Sequence, residues 1–181
     1  MKLLRTIRLD PSDAFIFPAA AEPGEWAVPG AFAFFGVDVA ALVGKERSAF
    51  RSGFLGVGSL AWSTLVQVVA STPDDRSATI ELLAQPLLDR LSAPDRVAAR
   101  MAAGEEIDFA ASLCNHPVDT LIAMHRSGEN GAIRVTFRAL RPRRSAPPMR
   151  AFSFHKNEDG AGETVDLVTL ARGDPRRGAP E

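Results

Sequence analysis

TLIAMHRSGENGAIRVTFRAL, Thr120 to Leu140, is two apolar runs on either side of Ser127-Gly128-Glu129-Asn130-Gly131. Asn-Gly between alternating apolar residues predicts a β-hairpin, because both residues accept the positive φ that a tight two-residue turn demands. In the second strand Ile133, Val135 and Phe137 point one way and Arg134, Thr136 and Arg138 the other. An antiparallel pair therefore closes the ordered part of the sequence. Working back from it, LAWSTLVQVVA (Leu60–Ala70) is apolar on both faces and reads as a strand central in its sheet. KLLRTIRL opens the chain as a strand with Leu3, Arg5, Ile7 and Leu9 on one face and Lys2, Leu4, Thr6 and Arg8 on the other. EWAVPGAFAFF reads as a further strand, with Trp26, Val28, Phe32 and Phe34 on one face and Pro29 marking an edge or a bulge.

Between these strands the pattern turns helical. Asp38 suits a first turn, and GKERSAFRSGF reads as a short helix stopped by Gly53. In STPDDRSATIELLAQPLLDRL, Thr72 suits the cap, Pro73 the first turn, and Asp74 and Asp75 the positive end of the dipole. Ile80, Leu83, Leu87 and Leu91 make the apolar stripe, and Pro86 predicts a kink or break, at a cost of roughly 3 kcal/mol if the helix continues. Another helix runs from about Asp95, weakens at Gly104 and resumes through EEIDFAASLC. Strands at both ends with helices between them predict an α+β fold: a mostly antiparallel sheet with two to four helices packed on it, plus a C-terminal tail.

The chain has 181 residues and a formal net charge of −1, with 46% hydrophobic and 24% charged residues. Such a composition excludes a wholly disordered chain and gives no global attraction to nucleic acid. Residues 1–140 carry 13 basic and 16 acidic groups, and residues 141–181 carry 8 and 6. The change begins at RPRRSAPPMR, Arg141–Arg150, where three prolines exclude helix and central strand. The expected organisation is a globular domain over 1–140 and a Pro/Arg-rich linker and tail over 141–181. The opening MKLLRTIRLDPSD is too broken by Arg5, Arg8 and Asp10 for a signal peptide, and no stretch reaches the roughly 20 apolar residues of a membrane span. A soluble, cytoplasmic protein is expected.

Candidate chemistry is sparse. SLCNHP, Ser112–Pro117, holds the single cysteine with a histidine two positions on. Ile107, Ala110 or Ala111, and Cys114 recur at helical spacing, so Cys114 belongs to an apolar face at a helix C-terminus, whose dipole disfavours a thiolate. No pair among the three histidines and the cysteine has a typical ligand spacing, so neither a metal nor a cofactor is expected. The glycines of GFLGVGSLAWST lie between helix and strand, in the reverse of the order a dinucleotide fingerprint needs. No catalytic residue is assigned. Arg5 interrupts an otherwise apolar face, so it either snorkels to solvent or lines a pocket and binds an anion. With His125 it forms the candidate ligand pair in a sheet-lined pocket. Arg134, Arg138, Arg141, Arg143 and Arg144 form a basic cluster without aromatics on the same face, which argues against RNA. In the tail, Phe152 and Phe154, then Val165, Leu167 and Leu170, are the candidate partner-contact residues, suited to adding a strand to a sheet edge.

MKLLRTIRLDPSD, PGEWAVPGAFAF, GKERSAFRSGFLG, WSTLV and ASLCNHP with DTLIAMHR together resemble a family of small uncharacterised bacterial proteins, over roughly residues 1–142. The resemblance implies no catalytic residue. Its members are similar in setting to accessory proteins of molybdenum-dependent or iron–sulfur oxidoreductases. The expectation is a non-catalytic accessory or subunit protein acting by protein–protein contact or as a homo-oligomer, with service to a redox metalloenzyme system as the setting the resemblance implies, and with no membrane partner. The alternative is a small-molecule, anion-binding protein or an unrecognised enzyme with a sheet-lined pocket.

Overall fold

A computed structural model describes residues 1–91, 93–129 and 132–140, with the side chains of Glu129 and Ala132 left aside. Seven strands form one sheet in the order β4-β3-β2-β1-β5-β6-β7, and every neighbouring pair is antiparallel. They are β1 (Lys2–Ile7), β2 (Trp26–Val28), β3 (Phe54–Gly56), β4 (Trp62–Ser63), β5 (Leu65–Ala70), β6 (Leu121–Glu129) and β7 (Ala132–Leu140). Four α-helices accompany them: α1 (Ser12–Ile16), α2 (Gly44–Ser52), α3 (Pro73–Arg90) and α4 (Arg96–Ser112). The α+β fold is as the sequence predicts. β6 and β7 pair along their whole length, from Leu121 opposite Leu140 to Glu129 opposite Ala132.

Three strand assignments need correction. β1 lies inside the sheet between β2 and β5, with Leu3, Leu4 and Thr6 all buried and α4 packed against it. The strand stops at Ile7, which leaves Leu9 at 67% exposure rather than on a core face. β2 stops at Val28, because Pro29 has no N–H for a ladder and Gly30 turns to φ +70°. A side chain at Gly30 would bring its Cβ to 2.6 Å from that of Leu55. Phe32 and Phe34 consequently belong to a 3-10 helix, Ala31–Phe34, and not to the strand of Trp26. LAWSTLVQVVA divides at Thr64, whose N–H and hydroxyl both donate to the buried carboxylate of Asp13, at 3.2 and 2.5 Å. Its second half is β5, interior as expected, with Val66 and Val68 fully buried.

The helices follow their punctuation more closely. Thr72 and Asp75 form a reciprocal capping box: the Asp75 N–H donates to Thr72 Oγ1 at 3.1 Å and the Thr72 N–H to Asp75 Oδ2 at 2.8 Å. α3 continues through the half-buried Pro86 without a break, while Leu83, Ala84 and Leu87 hold its inner face. Leu91 falls beyond the last turn and is exposed, so the stripe ends at Leu87. α4 is capped by Asp95, whose Oδ1 accepts the Ala98 N–H at 2.8 Å, and runs unbroken past Gly104. Its buried positions Ala99, Ala103, Ile107 and Ala110 recur at three- and four-residue steps and pack on α3. α2 ends at Gly53 as predicted but begins at Gly44 without a side-chain cap; the Asp38 carboxylate instead accepts the Ala40 N–H at 3.0 Å within a turn.

The main core joins Leu4, Val28, Phe54, Val66, Leu83, Ile107 and Ile122, among others. A second, smaller cluster of Phe17, Phe34, Ala49 and Phe50 packs α1, the 3-10 helix and α2 together. The functional candidate lies beside this second cluster.

Candidate functional site: an arginine-lined cleft

A cleft of about 880 Å³ is lined by the 3-10 helix and the chain that follows it to Ala40, by α2, and by the β6–β7 hairpin. Ligand sites are commonly of this size and mostly apolar, with a few polar groups that fix orientation. Here the apolar lining includes Phe32, Phe34, Phe50 and Ile133, while among the described residues the charged lining is Arg47, Arg51 and Arg126 against Asp38. Arg47 and Arg51 stand one turn apart on α2, both exposed, and neither makes an ion pair among the described residues. Asp38 is already engaged by the Ala40 N–H.

Arg126 assembles the walls. Along β6, Ile122, Met124 and Arg126 occupy successive inward positions, so strand alternation carries the guanidinium into the protein, where it is fully buried. It donates to the carbonyls of Phe50 at 2.8 Å, Ala49 at 3.4 Å and Pro29. The first two are C-terminal carbonyls of α2, where a cation also meets the negative end of the helix dipole. The guanidinium carbon lies 5.7 Å from the centre of the Phe34 ring, within cation–π range. Its Nε–H has no partner among the described residues.

Glu106 of α4 grips the same turn from the other side, accepting the Gly30 N–H at 2.8 Å. Burial raises the pKa of its carboxyl, opposed by that hydrogen bond and by the charge of Arg126. Burial likewise lowers the Arg126 pKa to about 10, with the Glu106 charge opposing. The two charges act on each other across the Pro29–Gly30 turn without direct ion-pair contact.

The residues singled out by sequence lie elsewhere. Arg5 donates to the Gly24 carbonyl at 2.6 Å, and its guanidinium stacks 3.7 Å over the Trp26 ring. His125 is exposed on the face of β6 opposite Arg126, and its carbonyl accepts the Thr136 hydroxyl at 3.3 Å. Neither lines the cleft, and nothing brings the two together. Cys114 is buried with its thiol 3.4 Å from the Ala110 carbonyl, and burial pushes its pKa up to about 11. Gly56 and Gly58 pack around the Glu25 carboxylate, which accepts the Ser59 N–H at 2.8 Å and ties down that loop. Phe152, Phe154, Val165, Leu167 and Leu170 lie outside the described residues, as do Arg141, Arg143 and Arg144. Among the described residues no helix is long and apolar enough to cross a membrane.

Sequence reasoning missed Arg126 and Glu106. The signal for Arg126 was present: a cation in the buried register of an apolar strand, the same signal that drew attention to Arg5. Glu106 carried none, because a glutamate beside Glu105 on an amphipathic helix reads as solvated surface.

No curated protein and no solved structure matches the chain. A family model matches residues 1–160, further than the residues that carry the resemblance in the sequence and over Ala151–Phe154 as well. The chain therefore belongs to that family, DUF6505, a family of unknown function.

Proposed function

We propose that the protein is a non-catalytic binding protein whose cleft receives a small anion. The observation that carries this reading is the pair Arg47 and Arg51, two cations without ion-pair partners among the described residues, facing one concave and mostly apolar space. Paired guanidinium forks match the oxygens of a carboxylate or phosphate. Convergent charge in a cleft of this size favours the ligand-binding alternative over contact through a flat patch. Native mass spectrometry of the full chain tests it. The wild-type protein should retain a small molecule that the Arg47→Glu/Arg51→Glu variant releases, whereas identical spectra from the two proteins contradict the reading.

Contact with a partner protein is the second reading, favoured by Phe35, Val43 and Phe15, which are 94%, 73% and 72% exposed. A bacterial, cytoplasmic accessory role beside a redox metalloenzyme belongs to this reading and rests on the sequence resemblance. Phe152, Phe154, Val165, Leu167 and Leu170 are its proposed contacts. Pull-downs with the full chain and with a chain ending at Arg141 separate the cases; identical retained partners would remove the tail from the contact.

A further inference from the structure

We infer that the anion taken by the cleft is a free amphiphile, with one carboxylate or phosphate head held by Arg47 and Arg51 and an acyl or aryl body laid against Phe32, Phe34 and Phe50. The inference rests on the reading of the cleft as an anion site and adds the class of ligand. The head position follows from α2. Side chains at i and i+4 of a helix stand about 5–6 Å apart at Cβ, close enough for both guanidinium groups to reach the oxygens of one head group. Behind them lies Arg126, whose hydrogen-bond partners are neutral carbonyls but whose charge is partly offset by the buried Glu106 carboxylate, so the charge that holds the head is that of Arg47 and Arg51. Among the described residues Asp38 is the only carboxylate in the lining, and it selects against a second negative group on the ligand.

The body position follows from the walls. Beyond the arginines most of the lining is aromatic or aliphatic, with Asp38 and Ser127 as its polar side chains, and a hydrophilic anion such as citrate would lose water against those apolar walls without gaining hydrogen bonds there. An acyl chain or aromatic ring loses nothing by that desolvation and gains contact with the rings. Phe35 stands at the rim almost fully in solvent, where an apolar side chain is covered only when a ligand body or another surface reaches it. A concave space of about 880 Å³ suits a single molecule rather than the plane of a bilayer.

The test is calorimetric titration of the full chain at low ionic strength with decanoate, inorganic phosphate and citrate, alongside vesicles of phosphatidylcholine and phosphatidylglycerol. Arg47→Glu/Arg51→Glu and Phe35→Ser change exposed side chains, and unchanged melting curves confirm that both variants fold. Decanoate should bind at least tenfold more tightly than phosphate or citrate. The double charge reversal should weaken it tenfold or more, and Phe35→Ser threefold or more. Arginine-dependent binding of phosphate that equals decanoate and ignores Phe35→Ser would overturn the amphiphile while leaving the anion site standing. No arginine-dependent binding of any of the three would overturn both. Retention on the vesicles without binding of decanoate would make the source a lipid surface and overturn the free ligand.

Discussion

Arg126 is a buried cation whose hydrogen bonds go to three carbonyls from two different segments, and removing it leaves those acceptors and Glu106 uncompensated. Breaking such an arrangement from one side costs about 3–5 kcal/mol, most of it the penalty of the groups left behind. Arg126→Met, which keeps most of the volume, should lower unfolding stability in urea by that amount, with Arg126→Lys intermediate; an unchanged midpoint for the methionine variant would show that the guanidinium ties nothing together. Cys114 offers a second residue-level test. Its thiol pKa rises from 9.0 to about 11 on burial, so the folded chain holds this proton more tightly than the unfolded one. The stabilising contribution is complete below pH 9 and is lost as pH rises toward about 11. Stability should therefore fall more steeply between pH 9 and 11 in the wild type than in Cys114→Ala, and native alkylation at neutral pH should be far slower than in denaturant. The burial of Cys114 was legible because helical spacing places it in the row of Ile107 and Ala110. Arg126 was equally legible in principle, since Ile122, Met124 and Arg126 share one register. What the sequence could not convey was that β6 keeps that register covered as far as Arg126, whereas β1 opens to solvent beyond Ile7.

Elements were legible where local chemistry alone decides them. The capping box at Thr72 is local, and its energetics should be local too: Thr72→Ala should cost about 1 kcal/mol, read as a shift in the urea midpoint at constant slope. Pro86 is the reverse case. It sits in the interior of a continuous helix, where it removes a hydrogen bond and crowds the preceding turn, so Pro86→Ala should raise stability by up to about 3 kcal/mol. No gain would mean that α3 is already bent to relieve the ring. Of the kink or break expected at Pro86, the break does not occur, because Leu83, Ala84 and Leu87 continue the buried face through it and tertiary packing outweighs the local penalty. The opposite error came at EWAVPGAFAFF, where apolar alternation suggested a strand through Phe34. Pro29 and Gly30 end the ladder there, and the aromatic run pairs with α2 instead: Phe34 packs edge-on to Phe50 and stacks on Trp62, both with centroids 5.2 Å away. Alternation describes which side chains are buried but not which backbone carries them. The cleft exists because this run leaves the sheet, which is why the sequence did not point to it.

At the scale of the molecule, both buried clusters draw on residues from Leu3 to Met124, with Val135 and Phe137 packed against the larger one. Among the described residues these apolar contacts lie within residues 1–140, which motivates the expectation that this part of the chain offsets its own ordering entropy. A chain ending at Arg141 should melt cooperatively within about 3 °C of the full chain, a difference of roughly 1 kcal/mol for a domain of this length. The family match pulls the other way, because it continues to residue 160 and takes in Ala151–Phe154. Three lengths decide between them: the full chain, a chain ending at Gly160 and a chain ending at Arg141. Equal midpoints for all three would assign residues 141–160 to a role other than stability, and partner contact through Phe152 and Phe154 becomes the reading to pursue. If the chain ending at Gly160 matches the full chain while the shorter one melts well below it, then Phe152 and Phe154 belong to the folded unit. The domain boundary would then move from Leu140 to beyond Phe154, and an apolar patch now proposed for a partner would be spent on the protein's own fold.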